Sequence, residues 1–206
     1  MNGEKIPVVE NNEHLGQIVS GIDQEQKNID FRINKARKAL YSLLGPCFNT
    51  KCQLNFKLKM HLYRTFICPV LCAGLSTFVI TDRLMESLNL FHRKCLKGIL
   101  CVSKRCPTPG VHFILSEPPI EVQIHREVFN LFYTVWTNPQ TKLFEIISYI
   151  LANLNDKSHT WCKYLTNLCQ QYGIRKPSEL IKESPPTKSS YKKNIENTIL
   201  AFHEKE

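Results

Sequence analysis

Between residues 24 and 44 the apolar residues Ile29, Ile33, Ala36, Leu40, Leu43 and Leu44 recur at steps of three and four, with Lys27, Arg32, Lys35 and Lys38 on the other side. That period predicts an amphipathic α-helix with a basic outer face. Asp23 stands where an N-cap is wanted, and Gly45-Pro46 where a helix must stop. A second helix is expected over 52–68. Here Leu54, Phe56, Leu58, Met60, Leu62, Tyr63, Phe66 and Ile67 cover most of the circumference and leave a narrow stripe for Lys57, His61 and Arg64. Such a helix wants neighbours on several sides, and Pro69 should end or kink it. A third, over 84–100, turns Leu84, Leu88, Phe91, Cys95 and Ile99 inward and Arg93, Lys94 and Lys97 outward.

The Pro-rich turn 105–110 breaks this pattern. Beyond it the chain reads as helices over 111–115, 119–136, 141–154 and 158–172, a helical turn at 178–181, a loop at 184–190 and a last helix over 191–203. Before the first helix, His14-Leu15-Gly16-Gln17-Ile18-Val19-Ser20 alternates and ends at Gly21, so a short strand is expected. The best strand partner in the chain is 76–81, and a lone strand implies a sheet whose other members lie elsewhere.

Composition narrows the class. With 206 residues, 43% hydrophobic and 22% charged, the chain suits one moderate domain or two small ones and is too apolar for wholesale disorder. No run approaches the roughly 20 apolar residues of a membrane span. The polar N-terminus lacks the features of a secretory signal, so an intracellular protein, cytoplasmic or nuclear and not secreted, is expected. In that setting the nine cysteines are expected to be mostly buried small hydrophobes rather than disulfides. The net charge of +9 is unevenly spread: −3 over 1–23, +11 over 24–105 and +1 over 106–206. These become the expected divisions of the chain, and the middle one invites a polyanion, the alternative being an ordinary basic surface.

Candidate chemistry is sparse. Cys101, Cys106 and His112, with Cys95 nearby, hint at zinc, but no second close pair of ligands accompanies them. The four aspartates, Asp23, Asp30, Asp82 and Asp156, are isolated, whereas two-metal phosphoryl transfer needs clustered carboxylates. No glycine-rich phosphate loop is present. His61, His92 and His125 lie within predicted helices and suit packing, or an extra phosphate contact, better than catalysis. No catalytic residue, metal or cofactor is expected.

Several segments, in order, resemble the C-terminal part of the endonuclease and reverse-transcriptase polyproteins of non-LTR retrotransposons. Residues 14–20 are similar to the Tyr-Leu-Gly element that closes the palm, with His14 in place of the usual aromatic. Ile33-Asn34-Lys35-Ala36-Arg37-Lys38-Ala39 resembles the first thumb helix, and 58–71 the Lys-x-x-Leu-Tyr segment with its later Pro-x-Leu. Residues 90–100 are similar to the F-x-R-x-x-L-(K/R)-x-I helix, and Pro119-Ile120-Glu121-Val122-Gln123-Ile124-His125 to the Pro-(Ile/Val)-Glu-x-x-(Ile/Leu)-His segment. Residues 158–161, 172–174 and 185–188 resemble the helical tail of one branch.

The resemblance implies an all-α fold: a thumb-like helical bundle over 24–105, a helical post-thumb region over 106–206, and one short β element left from the palm sheet. It implies a fragment of an RNA-directed DNA polymerase that keeps the template-primer grip and lacks the palm carboxylates, so that it is no enzyme by itself. The implied partners are nucleic acid, held by its backbone, and the fingers and palm of a longer polyprotein. Candidate phosphate contacts are Arg32, Lys35, Lys38, Lys57, Arg64, Arg93, Lys94 and Lys97. Two alternatives stay open: an independent nucleic-acid-binding helical module, and a protein-interaction domain with an incidental basic face whose helical tail docks another subunit.

Overall fold

The computed structural model describes residues 11–43, 54–155 and 159–203. Over these the fold is mostly α-helical, with one two-stranded antiparallel sheet at the N-terminal end.

That sheet is a hairpin of β1 (Asn11–His14) and β2 (Gln17–Ser20), with Asn11 opposite Ser20 and His14 opposite Gln17. Leu15 and Gly16 both have positive φ, at 47° and 75°, as a two-residue hairpin turn whose twist matches its strands requires. The strand expected to run unbroken over 14–20 is therefore corrected: its alternation straddles a turn. The partner is the polar Asn11–His14, not 76–81, where a 3-10 turn (Leu75–Thr77) leads into the next helix. Pairing through backbone groups asks for no apolar pattern, so the partner strand carried no mark of itself.

The hairpin sits on α1 (Gln24–Leu43). Asn28, 1% exposed, grips β2 with both ends of its amide: Ile18 N donates to Oδ1 at 2.8 Å, and Nδ2 donates to Ile18 O at 2.7 Å. Ile29 and Ala36 lie in the core as the period predicted. The expected stop at Gly45-Pro46 lies outside the described residues.

Next come α2 (Phe56–Leu62), capped by Asn55 Oδ1 accepting from Lys57 N at 3.0 Å, a π-helical turn (Tyr63–Ile67), and α3 (Cys68–Cys72). The helix thus passes through Pro69. One widened turn just before the proline makes room for its ring and its missing N–H. The expectation that apolar contacts surround this helix also needs correction: Phe56, Leu58 and Phe66 are exposed, while Lys59 is buried. After α3, Gly74 has φ +73°, and a Cβ there would run into Gln17 Nε2, which donates to Gly74 O.

The remaining helices are α4 (Asp82–Ile99), α5 (Thr108–Leu115), α6 (Ile120–Trp136), α7 (Lys142–Ala152), α8 (Trp161–Gln171), α9 (Pro177–Leu180) and α10 (Lys188–His203). Thr141 and Thr160 cap α7 and α8, and α10 takes the last residues of the expected 184–190 loop. Two apolar clusters form. One joins α1 to α4 with Val111, Leu115, Ile120 and Ile124; the other packs the rest of α6 against α7 to α10. Packing therefore changes hands within α6, whereas charge changes at 105–110. Trp161 Nε1, donating to Ser76 O at 2.8 Å, ties α8 back to the first cluster.

Two buried imidazoles secure the joints. His92 is fully buried, with Nε2 3.1 Å from Pro118 O and Nδ1 2.5 Å from Tyr63 Oη. A carbonyl can only accept, so Nε2 carries the proton and Nδ1 accepts from the phenol. Burial, with His112 adding to it, drives the His92 pKa down to about 3. His125 is 2.6 Å from Tyr172 Oη, and burial, then His203, lower it to about 4.

Both imidazoles are neutral in the folded protein, whereas the unfolded chain takes up their protons below about pH 6.5. Their contribution to stability is therefore present above pH 6.5 and lost as the pH falls from there to about 4 for His125 and about 3 for His92. The slope is about 1.4 kcal/mol per pH unit for each imidazole. Urea unfolding at stepped pH should show this decline, and His92→Gln should flatten it; an unchanged slope in that variant would contradict the assignment.

Candidate nucleic-acid interface

The eight cations expected to face outward divide sharply. Arg32 is turned inward, 9% exposed, and its Nη2 donates to Gly16 O at 2.6 Å, so it secures the hairpin turn. Burial pulls its guanidinium below the ordinary value, with Glu13 opposing. Lys35 pairs with Glu13 at 3.0 Å and lies over the Phe31 ring. Arg64 pairs with Glu117 at 2.6 Å and donates to Ser116 O at 3.0 Å. Arg93 pairs with Glu86. These four are engaged within the molecule.

Lys38, Lys57 and Lys94 are exposed and have no ion-pair partner among the described residues. Lys97 donates to Lys104 O at 3.0 Å, a contact that leaves its charge unneutralised. Arg32 also lies beside Gly74, just after α3. The helix phase of α1 could not show that one of its outward positions serves as a clamp.

A second group emerges at the C-terminal end of α4. Lys97 holds the backbone of Lys104, Lys94 stands one turn earlier, and Arg105 follows, its N–H donating to Ser103 Oγ at 3.3 Å. Lys94, Lys104 and Arg105 are exposed. Lys104 and Arg105 escaped the sequence reading because they lie beyond the helix period. A signal was present all the same: between Glu86 and Glu117 there are five Lys and Arg and no acidic residue. Part of this charge also suits α4 itself, whose C-terminal carbonyls favour cations.

Among the described residues no three His, Cys, Asp or Glu side chains converge to hold a metal, Cys95, Cys101, Cys106 and His112 included. Cys72, Cys95, Cys162 and Cys169 are buried. Burial pushes the thiols of Cys95 and Cys169 up to about 12, against the thiolate a nucleophile needs. Cys47 and Cys52 lie outside the described residues. No helix among the described residues is long and apolar enough to cross a membrane. No family model, curated protein or solved structure matches the chain.

The division makes a direct stability test. Arg32→Ala should cost about 1–3 kcal/mol, since it strips a buried charge-assisted bond from the hairpin turn. Lys38→Ala and Lys94→Ala should stay within about 0.5 kcal/mol. Chemical denaturation of the three variants checks this, and equal losses would show that Arg32 is an ordinary surface residue.

Proposed function

We propose that the chain is a phosphate-gripping helical piece of a non-LTR retrotransposon reverse transcriptase, its thumb and the helices that follow, which binds a nucleic-acid duplex through its backbone without reading bases. The observation that carries this reading is the acid-free stretch between Glu86 and Glu117, with Lys94, Lys97, Lys104 and Arg105 gathered at one helix end and unpaired with carboxylates among the described residues. Cations already held by carboxylates have little to gain from a phosphate, while unpaired ones release counterions on contact. The ordered resemblance from residue 14 to the C-terminal tail supports the same reading. In it the chain supplies grip and the polymerising carboxylates belong elsewhere.

Lysines at the surface carry no base-specific geometry, so binding should be indifferent to sequence and sensitive to salt. Anisotropy titrations of a short RNA–DNA hybrid should show affinity falling steeply between about 50 and 200 mM salt. Replacing Lys94, Lys97, Lys104 and Arg105 together by alanine should reduce the slope of log affinity against log salt by about 3–4, each lost phosphate contact removing about 0.9. Binding that ignores salt, or an unchanged slope in the variant, would move the function to the protein-interaction reading.

A further inference from the structure

The first half of α6 floors an open groove of about 1850 Å³, walled by α4 and α5 on one side and by α10 on the other. Three arginines line it, and each is met by a carboxylate of the same groove: Arg64 by Glu117, Arg93 by Glu86, and Arg126 by Glu196 at 2.5 Å. Two further carboxylates, Glu121 and Glu127, have no lysine or arginine in ion-pairing range among the described residues. Glu121 lies 3.6 Å from His203 Nδ1, and Glu127 accepts from Gln123 Nε2 at 3.0 Å. Burial raises the Glu127 carboxyl above its ordinary range, against the opposing pull of the Gln123 bond and Arg126. In a chain of net charge +9, this concavity carries a negative surplus.

Its walls also carry exposed apolar side chains. Phe113 is 87% exposed and Ile114 58% exposed on α5, and Leu200 lines the α10 side. The volume exceeds the roughly 300–1,000 Å³ of small-molecule clefts, which favours a length of polypeptide. Phosphate would meet the surplus carboxylates and be repelled. An acidic segment would have to break arginine pairs already made, whereas a basic one meets Glu121 and Glu127, which no lysine or arginine pairs among the described residues.

We propose that this groove docks a segment of another polypeptide carrying arginine or lysine beside apolar side chains, its cations meeting Glu121 and Glu127 and its apolar groups covering Phe113 and Leu200. The site uses none of the unpaired α4-end cations, so it adds a protein partner to the nucleic-acid reading and stands or falls separately from it.

The probe is a fluorescein-labelled peptide of leucine, alanine and arginine with leucines at helical spacing, titrated into the full chain beside a twin in which every arginine is glutamate. The arginine peptide should bind and the twin should not. Glu121→Gln with Glu127→Gln should weaken binding by about tenfold or more. Phe113→Ser, at a side chain too exposed to matter for folding, should weaken it as well. Hydrogen exchange should slow over 113–127 and 196–203 when the peptide is bound. Equal binding of both peptides, full affinity in both variants, protection elsewhere, or displacement of the peptide by the RNA–DNA hybrid would each overturn the proposal.

Discussion

The imidazole of His92 is the joint on which the rest of the arrangement turns. Pro118 and Pro119 interrupt the helical ladder between α5 and α6, so the carbonyls of that link need partners from outside it. His92 supplies one to Pro118 O, His112 Nδ1 lies 2.6 Å from Glu117 O, and Arg64 donates to Ser116 O. Through Tyr63 the same imidazole reaches the π-helical turn before Pro69. One neutral ring therefore sets the π-helical turn, α4 and the α5–α6 link against each other, and with them the groove. Burial is what keeps that ring neutral.

Charge is divided between two kinds of side chain. Among the described residues the arginines Arg64, Arg93, Arg126 and Arg175 hold carboxylates, while Lys38, Lys57 and Lys94 stand in solvent. A planar guanidinium matches a carboxylate or a set of carbonyls and keeps its charge when half buried, while an ammonium on a flexible stem is more strongly hydrated. Arginine thus makes most of the ion pairs among the described residues, with Lys35 on Glu13 the exception and Arg105 standing in solvent beside the lysines. Arg32 is the extreme case, a guanidinium closing a hairpin turn from the side of a helix.

Much of the helical framework was legible. The apolar steps of Ile29 to Leu40, of Leu84 to Ile99 and of the long α6 placed those helices to within a few residues, because burying one face of a helix leaves its period in the chain. The hairpin partner Asn11–His14 was not legible, since its strand pairing is a matter of backbone groups. Nor was the passage through Pro69, which rests on one turn rewinding to suit the proline. Of the candidate cations, Lys38, Lys57 and Lys94 face solvent as their phase implied, whereas Lys104 and Arg105 joined the group through a loop that no periodicity describes.

Composition and pattern by themselves determined a mostly helical chain, a positive middle segment and cysteines suited to packing, because these depend on residue type and spacing along one dimension. Only the tertiary structure decided which cations are spent. The carboxylates that neutralise Lys35 and Arg64 come from 22 and 53 positions away, and no local rule foretells such meetings. The negative groove has the same origin: Glu86, Glu117, Glu127 and Glu196 are scattered along the chain and come together only when α4, α6 and α10 pack.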